Sequence, residues 1–487
     1  MKRYGHVIDG QETGLSGSAF FVTTNPATEE PLAEVATGSP EDVDSAVRSA
    51  KQAFAQSAWR TLSPWDRGRL LNKVAELLRQ RTDELAMLDA LDCGKPFKDN
   101  KYGDLPLCIR IFEYYAGVCD KYSGRVHPSE KGMFNFSIRE PYGVIAGIVP
   151  WNYPLLNCCI KLAPALAAGN TVILKMAEQT PLSAIELGKL CLDAGIPPGV
   201  VNVVNGGPDV GAALTLHPGI DKISFTGSTE TGKQILRGAA ERIVPVTLEL
   251  GGKSPAIVFA DCDLEQAIPG VLFSAFFNAG QICTTGSRLL VEKSIAAQFL
   301  AKLAEAADRL RIGDPCNEET DLGPLVSRQQ KDRVNEYLRV GESEGSRLYY
   351  RRSGPDPARG HFVRPAIFTQ VEPGMKIAQE EIFGPVLAVM AFESEAEAVE
   401  KANSVAYGLA ASVWTRDLGR GLRMAHTIQA GTIWMNTVEY WDPSVPYGGQ
   451  KQSGLGEDFG MAAYHTYTKP KSVFVNMTRN KLSWGPA

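Results

Sequence analysis

The sequence predicts an α/β fold with a parallel sheet at its centre. Short β-rich runs recur from residue 143 onward, at 143–149, 171–175, 200–204, 221–226 and 245–250. Helical runs separate them, at 154–168, 181–194, 208–217 and 228–240. Strands that alternate with helices of this length pair in parallel and are covered on both faces. A second alternating block, from 255 to about 435, predicts a second α/β domain whose first helix runs to about residue 279.

Two amphipathic helices precede this sheet. The segment SPED at 39–42 combines an N-cap residue, a proline in the first turn and early acids. Ser63 and Pro64 open the second helix, which we expect to end at Gly94. Polar and apolar residues alternate within 121–141, around MFNFSI, and this pattern predicts strands that interrupt the first α/β unit.

The composition argues against several classes of protein. The 487 residues carry a net charge of −5 without a block of like charge, whereas nucleic-acid binders usually show a basic face. The apolar stretch at 144–151 is too short to span a bilayer, and the first ten residues lack the apolar core of a signal peptide. Nine scattered cysteines and six scattered histidines suggest neither disulfides nor a metal site. We therefore expect a cytoplasmic protein that binds no metal, nucleic acid or membrane.

A nucleotide site is predicted at the carboxyl ends of the strands, although the GxGxxG fingerprint is absent. Gly227 and Ser228 follow the strand DKISFT at a helix start, where a phosphate can approach the helix N-terminus. The same residue types are also ordinary turn formers. Lys175 ends the strand TVILK, and Glu178 lies three residues later. A carboxylate there accepts hydrogen bonds from ribose hydroxyls and repels a 2′-phosphate; the alternative is a solvated ion pair.

Three further residues suggest covalent chemistry on a carbonyl group. Cys283 lies in a short polar break between an apolar helix and a strand, which favours a reactive thiol over a core residue. Glu249 ends an apolar strand, where burial raises the pKa of a carboxyl and makes it a usable base; the alternative is a capping carboxylate. Asn152 lies at a strand-to-helix junction, as an oxyanion donor or as a helix N-cap. This set suits carbonyl oxidation through a thiohemiacetal, with hydride transfer to a nicotinamide.

Seven segments together resemble the aldehyde dehydrogenase superfamily, from about residue 8 to 477: PWNYP, KMAEQTP, FTGSTETG, LELGGK, GQICTTGSR, EEIFGPV and PYGGQKQSGLG. The resemblance implies NAD-dependent oxidation of an aldehyde to its carboxylic acid through a cysteine thiohemiacetal and thioester. It implies Cys283 as the nucleophile, Glu249 as the base that activates the deacylating water, and Asn152 with the Cys283 amide as the oxyanion hole. Lys161 and Glu457 match positions linked to proton relay in some members.

The resemblance also implies an NAD site and three structural units. The implied cofactor-binding residues are Ile148, Val149, Trp151, Lys175, Glu178, Gly207, Gly211, Phe225, Thr226, Gly227, Ser228, Leu250, Glu381 and Phe383. A Rossmann-like NAD-binding domain is expected at 1–120 and 142–250, and an α/β catalytic domain at 251–450. A small β oligomerisation arm is expected at 121–141 and 469–487. In relatives this arm adds a strand to a neighbour's sheet, which implies a homodimer or homotetramer.

The substrate is the least constrained feature of the sequence. The resemblance implies a tunnel lined by Tyr153, Ile160, Phe277, Trp441 and Tyr447. Members that act on betaine aldehyde carry several aromatic residues at such positions, whose faces hold a trimethylammonium group. The same residues suit an aromatic or a medium-chain aldehyde. Two rival functions are a cofactor-independent thiol esterase and a catalytically silent NAD-binding or structural protein; the cysteine and glutamate argue against silence.

Overall fold

The computed structural model describes residues 1–56, 58–353, 357 and 359–478. Its helices, in chain order, are α1 (Pro40–Gln56), α2 (Ala58–Thr61), α3 (Pro64–Gln80), α4 (Thr82–Cys93), α5 (Phe97–Asp99), α6 (Leu105–Val118), α7 (Pro154–Ala167), α8 (Leu182–Asp193), α9 (Pro208–Leu216), α10 (Thr229–Ala240), α11 (Leu264–Phe276), α12 (Ala296–Asp308), α13 (Arg328–Ser343), α14 (Lys376–Gln379), α15 (Glu395–Asn403), α16 (Leu418–Thr427) and α17 (Gly460–Thr466). A π-helical turn at Asn100–Asp104 and a 3₁₀ turn at Phe277–Gly280 complete the helical part.

The strands, in chain order, are β1 (Lys2–Tyr4), β2 (His6–Ile8), β3 (Gln11–Thr13), β4 (Phe20–Thr24), β5 (Pro31–Ala36), β6 (Arg125–His127), β7 (Met133–Pro141), β8 (Val144–Val149), β9 (Thr171–Met176), β10 (Val201–Val203), β11 (Lys222–Thr226), β12 (Val246–Glu249), β13 (Pro255–Val258), β14 (Arg288–Glu292), β15 (Arg347–Arg351), β16 (Ala366–Thr369), β17 (Val386–Phe392), β18 (Tyr407–Gly408), β19 (Ala410–Trp414), β20 (Thr432–Met435), β21 (Gln450–Lys451), β22 (Gly454–Leu455) and β23 (Thr468–Asn476).

The first large sheet has the strand order β22-β12-β11-β8-β9-β10-β2-β3. Its five central strands, β12 to β10 in this order, are mutually parallel, and the flanking strands are antiparallel. Successive residues of β8 enter different cores: Ile145 packs with α7 and its neighbours, and Ala146 packs on the side of α1. This alternation has the two-residue period of a β-strand, and it shows that the strand is buried on both faces. The predicted α/β class with a parallel sheet is therefore confirmed.

The second large sheet has the order β15-β16-β17-β14-β13-β19-β20, and only its edge strand β15 pairs antiparallel. It has a separate apolar core, to which α11, α12, α13 and α15 contribute. Strand β22, which follows this sheet in the chain, returns to the first sheet and pairs with β12. The segment therefore ties the two sheets together beside the end of β12.

A third, antiparallel sheet joins two strands within 125–141 to the C-terminal strand β23. Strand β7 pairs with β6 on one side and, over nine residue pairs from Thr468↔Pro141 to Asn476↔Met133, with β23 on the other. Its outer residues include exposed Phe134, Ile138 and Phe474. Strands thus form within 121–141 as the alternation predicts. Of the expected second segment, 469–487, residues 479–487 lie outside the described part of the chain.

Two helix boundaries differ from the sequence-based expectation. The helix that opens at Ser63 does not continue to Gly94, because α3 and α4 are separated at Arg81, whose backbone has left the helical region. Gly94 does end α4, in the left-handed conformation. The helix expected to reach residue 279 ends at Phe276. The 3₁₀ turn after it holds Asn278 in the left-handed region, which no sequence periodicity indicates.

Candidate active site

A cleft of about 470 Å³ opens where the parallel strands of the first sheet end. Seven of the fourteen residues expected to bind the cofactor line it: Trp151, Thr226, Gly227, Ser228, Leu250, Glu381 and Phe383. Cys283, Asn152 and Tyr153 lie on the same wall. Since the carboxyl ends of parallel strands meet at one edge, residues far apart in sequence are brought together here.

Two glycines allow the loop that carries Cys283 to pack closely against neighbouring backbone. A Cβ atom on Gly252 would lie 2.4 Å from the carbonyl oxygen of Cys283, so no side chain fits between the two segments. Gly280 adopts a positive φ of 72°, and a Cβ there would lie 2.3 Å from the carbonyl oxygen of Gly384. The loop that carries Cys283 is therefore fixed by close backbone approach.

The Cys283 thiol is protonated in this environment. Its Sγ lies 3.5 Å from the hydroxyl of Tyr447. Burial raises the pKa of the thiol to about 12, and this hydrogen bond only partly opposes the rise. The carboxylates of Glu439, Glu381 and Glu249 raise the pKa further. Attack on a carbonyl therefore requires a base that removes the thiol proton.

Glu249 is placed to serve as that base or to activate water. It is the last residue of β12, is 2% exposed, and lines a small cavity together with Cys283. Neither carboxylate oxygen has a hydrogen-bond partner among the described residues. Burial, and next the negative charge of Asp458, hold the pKa of Glu249 well above its ordinary value, while Lys161 opposes the shift. A buried carboxyl with free oxygens and a raised pKa has the properties of a general base.

Asn152 is tied to the cysteine loop and does not cap the following helix. Its Nδ2 donates a 2.9 Å hydrogen bond to the carbonyl of Gln281, two residues before Cys283. Asn278 in turn donates to the Asn152 carbonyl at 3.1 Å. Helix α7 starts after Tyr153 without a side-chain cap, so the N-cap alternative is not the arrangement found. Two hydrogen bonds therefore tie Asn152 to the segment that directly precedes Cys283.

Lys161 pairs with Asp458 and not with Glu457. Its Nζ donates a 2.7 Å hydrogen bond to Asp458 Oδ2, and both side chains are buried. Glu457 is exposed. The backbone N–H and C=O of Asp458 both form hydrogen bonds with the backbone of Tyr447. The segment is therefore extended, and the side chains of neighbouring residues point to opposite sides. Sequence reasoning missed Asp458 because an extended pair of acids does not show which one faces inward.

The other predicted cofactor residues lie around the same edge of the sheet without lining the cleft. Ile148 and Val149 are buried at the end of β8, and Phe225 is buried beneath Gly227, whose Cβ would meet the ring at 2.4 Å. Lys175 Nζ is buried near the end of β9, 3.9 Å from Glu178 Oε2. Burial lowers the pKa of Lys175, and Glu178 opposes this.

Two glycines and a helix start complete this edge. Gly207 precedes α9, and Cβ atoms built on Gly207 and Gly211 would meet nothing within 4 Å. Ser228 caps α10 by accepting a hydrogen bond from the amide of Thr231. This edge of the sheet thus combines glycine backbone with free space beside it, a helix N-terminus, a buried lysine and a neighbouring carboxylate. These features fit the phosphates and the ribose of a dinucleotide.

The opposite wall of the cleft is formed by segments that connect strands of the second large sheet. Glu381 Oε1 accepts a 3.1 Å hydrogen bond from the amide of Gly252, and burial raises the pKa of Glu381 to about 7. Phe383 has a φ of 61° and packs edge-on against Trp151, with ring centroids 5.2 Å apart. Sequence reasoning missed two supports of this wall. Gln330 donates to the Phe383 carbonyl at 2.7 Å, and Arg333 donates to the Glu381 carbonyl at 2.7 Å.

A second cavity, of about 70 Å³, lies on the far side of Cys283. Four of the five predicted substrate residues line it: Tyr153, Ile160, Trp441 and Tyr447. Trp441 meets Tyr447 edge-on, with centroids 4.8 Å apart. The fifth, Phe277, is not among its lining residues; it stacks on Phe273 at 4.3 Å, and Lys95 Nζ lies 5.1 Å from its ring. Cys283 lines both cavities, as do Tyr153, Asn157 and Thr226, so the two cavities adjoin beside the thiol.

Comparisons with known proteins agree with this geometry. A sequence model described as the aldehyde dehydrogenase family matches residues 15–473. The chain is 44% identical over 473 residues to the NADP/NAD-dependent aldehyde dehydrogenase PuuC of Escherichia coli (strain K12), covering 96% of this chain and 95% of that protein. It is 42% identical over 482 residues to the betaine aldehyde dehydrogenase of Bacillus subtilis (strain 168), covering 98% of each. An NAD⁺ complex of an aldehyde dehydrogenase from Bacillus cereus superposes with a TM-score of 0.96 at 42% identity, over 98% of this chain and 97% of that one.

Proposed function

The chain belongs to the aldehyde dehydrogenase family, and from this premise we propose that it oxidises an aldehyde to its carboxylic acid with NAD as hydride acceptor. The observation that carries the proposal is that Cys283 lines both the cleft and the small cavity, next to Glu249. A carbonyl carbon at this junction is within reach of a thiol on one side and a base on the other. The cleft at the strand ends supplies the place for the dinucleotide.

The proposed reaction begins with proton removal from Cys283. Because its pKa is about 12, the thiol loses its proton only as the sulfur attacks, and this proton is proposed to pass to water in the cleft that Cys283 lines. The sulfur then bonds to the carbonyl carbon, and the carbonyl oxygen becomes an oxyanion of the thiohemiacetal. The Asn152 amide and the Cys283 backbone N–H are proposed to stabilise this charge. NAD, when bound, supplies the acceptor for the hydride that leaves the same carbon.

The second half of the reaction releases the acid. Glu249 takes a proton from a water molecule, and the resulting hydroxide attacks the thioester carbonyl carbon. The carbon–sulfur bond then breaks, the acid leaves, and the Cys283 thiol is restored. The departing sulfur takes up the proton that Glu249 removed from water. The buried ion pair of Lys161 and Asp458 places its charges beside Glu249. We assign these two residues a positioning role through the charge that they place beside Glu249.

The residues proposed to hold the cofactor fall into two groups. Lys175, Glu178, Gly207, Gly211, Phe225 and Ser228 are assigned to the adenosine and phosphate half, with Ile148, Val149 and Gly227. Trp151, Thr226, Leu250, Glu381 and Phe383 are assigned to the nicotinamide half. We correspondingly propose that residues 1–120 and 142–250 form the NAD-binding domain. Residues 251–450 then form the catalytic domain, which carries Cys283.

We also propose a homodimer or homotetramer, formed through the arm of residues 121–141 and the C-terminal strand. Strand β23 presents an edge that no described strand covers, and Phe474 on it is 71% exposed. An unpaired edge with exposed apolar side chains is a template for a strand from another copy.

The compartment proposed is the cytoplasm. No helix in the part of the chain that the structure describes is long and apolar enough to cross a membrane. The support for the proposal is that all nine cysteines are free thiols, including the proposed nucleophile, and a reducing compartment maintains them.

The test of the proposed function is NADH formation, followed by absorbance, with a panel of aldehydes and with equal concentrations of NAD and NADP. We expect turnover with NAD and stoichiometric acid. Hydrolysis of an activated ester without cofactor, together with no aldehyde-dependent NADH, would instead identify a thiol esterase. Tight NAD binding with neither reaction would identify a silent NAD-binding protein.

A further inference from the structure

The small cavity beside Cys283 is rich in carboxyl groups. Three carboxyl side chains, Glu249, Glu439 and Asp458, line it, and none of its described lining residues is a lysine, arginine or histidine. The remaining walls are mainly aromatic and aliphatic, and include Trp441 and Tyr447, which pack edge-on against each other. A cavity of this composition favours a positively charged ligand over a neutral or anionic one.

Two of the three carboxyls already have a role. Glu249 is the proposed base, and Asp458 forms the ion pair with Lys161. Glu439 is not used by the proposed reaction. Its Oε1 has no hydrogen-bond partner among the described residues, and the side chain forms no ion pair with any of them. The neighbouring cation, Lys95, is held by Asp104 at 2.5 Å.

The surroundings of Glu439 hold its carboxyl at the cavity wall. Its backbone has a φ of 52°, a strained value for a residue with a Cβ. Trp434 donates to the carbonyl of the next residue, Tyr440, at 3.1 Å, and packs edge-on against Trp441 at 5.3 Å. Burial raises the pKa of Glu439 to about 7, while the Thr284 hydroxyl and the Trp441 indole oppose the rise. A strained position with an unsatisfied buried acceptor indicates a binding function.

We propose that Glu439 is a specificity-determining residue that selects aldehydes carrying a protonated amine, whose ammonium N–H donates to Glu439 Oε1 while the carbonyl reaches Cys283. This inference rests on the proposed function and names its substrate class. The faces of Trp441 and Tyr447 stabilise the same cation. Thr284, which follows the nucleophile, lies beside the Glu439 carboxyl, so the amine and the carbonyl are separated by few methylene groups. A trimethylammonium group has no N–H and cannot satisfy this acceptor.

The matched probes are 3-aminopropanal and butanal, which have the same number of heavy atoms and differ in the charged terminus. The purified full chain is assayed with NAD, and kcat/KM is measured for each aldehyde. We expect the wild-type enzyme to prefer 3-aminopropanal. Glu439→Gln should lower the ratio of the two kcat/KM values by about tenfold to hundredfold, the range expected for loss of a hydrogen bond to a charged group.

Two further variants separate recognition from structure. Asp442→Asn changes a nearby carboxylate that accepts from Ser444 and contacts Arg110 outside the cavity, and the ratio should be unchanged. Glu439→Asp keeps the charge but retracts it by one methylene, so it should restore part of the preference and shift it toward 4-aminobutanal. A purely structural role would not produce this dependence on substrate length.

Three outcomes would overturn the inference. One is equal or lower efficiency with 3-aminopropanal than with butanal in the wild-type enzyme. Another is a ratio that Glu439→Gln leaves unchanged. The third is faster oxidation of betaine aldehyde than of 3-aminopropanal, since that would assign recognition to the aromatic walls alone. If the enzyme oxidises butanal but gives any of these three results, only the proposed substrate class is refuted. If no aldehyde yields NADH, the proposed function is refuted as well.

Discussion

Lys161 Nζ and Asp458 Oδ2 form a 2.7 Å ion pair that is sealed from solvent, although 297 residues separate them in the chain. The pair lies beside Glu249, whose pKa Asp458 raises and Lys161 lowers. Burial is the main cause of the raised pKa of Glu249, and this ion pair adjusts it in both directions. This relationship makes the pH dependence of the reaction a direct test of the site.

Asp458→Asn should shift the acid limb of the kcat profile to lower pH. Glu249 acts as a base only when ionised, so activity rises with pH through its raised pKa. Removing the negative neighbour and leaving Lys161 lowers that pKa, whereas Lys161→Met should raise it and shift the limb upward. Steady-state rates against pH measure both. Glu457 is exposed and raises the pKa of Glu249 less than Asp458 does, so Glu457→Gln should give a smaller shift in the same direction; a larger shift in that variant than in Asp458→Asn would reverse the assignment.

Cys283→Ala should abolish aldehyde oxidation and leave NAD binding nearly intact. The thiol forms the covalent intermediate, and the side chain is only one of many groups that line the cleft. Turnover is measured by NADH absorbance and NAD binding by calorimetry. Residual turnover above about a thousandth of the wild-type rate would contradict the role of Cys283 as nucleophile.

Glu249→Gln should stall the reaction after hydride transfer. Loss of a general base costs about a hundredfold to ten-thousandfold, and here it should affect water attack on the thioester. Steady-state turnover then falls by that factor, while a burst of up to one NADH per site survives in rapid-mixing absorbance. If the variant binds NAD but shows no burst, Glu249 is needed earlier, to deprotonate Cys283. Full turnover would leave it a structural residue.

The enzyme should prefer NAD over NADP. Glu178 lies 3.9 Å from Lys175 and, in the proposed site, accepts from the ribose 2′-hydroxyl and repels a 2′-phosphate. Glu178→Gln should reduce the NAD-to-NADP ratio of kcat/KM by about tenfold, because the like-charge repulsion is removed. The exposed Glu241→Gln serves as the charge-matched control. Comparable efficiency with the two cofactors in the wild-type enzyme would refute the assignment to Glu178.

The arm should hold an oligomer together through β23. Phe474→Asp introduces a charge on an exposed strand edge and should lower the mass measured by light scattering to that of the monomer. Leu418→Asp is the matched control, since Leu418 is 67% exposed on α16, outside the arm. A monomeric wild-type protein, or equal masses for the two variants, would rule out assembly through β23.

The α/β class and the family were available from the sequence alone. Strands such as TVILK and DKISFT are rich in β-branched and apolar residues and alternate with helices, and this pattern predicts a parallel sheet buried on both faces. Cys283 and Glu249 were also named as candidates from the sequence, as a cysteine in a polar loop and a glutamate that ends an apolar strand, and their roles stay predictions. Such signals are local, since each depends only on neighbours in the chain.

Only the tertiary structure decided which acids face the site. Glu457 and Asp458 are adjacent and chemically alike, and the pairing of their segment with Tyr447 turns Asp458 inward. Glu439 occupies a loop without periodicity, and the aromatic packing of Trp434 and Trp441 brings it to the cavity. The direction of a side chain on an extended or irregular segment depends on contacts with residues distant in sequence. Periodicity and residue type therefore determine the fold, and long-range packing determines the charges that surround Cys283.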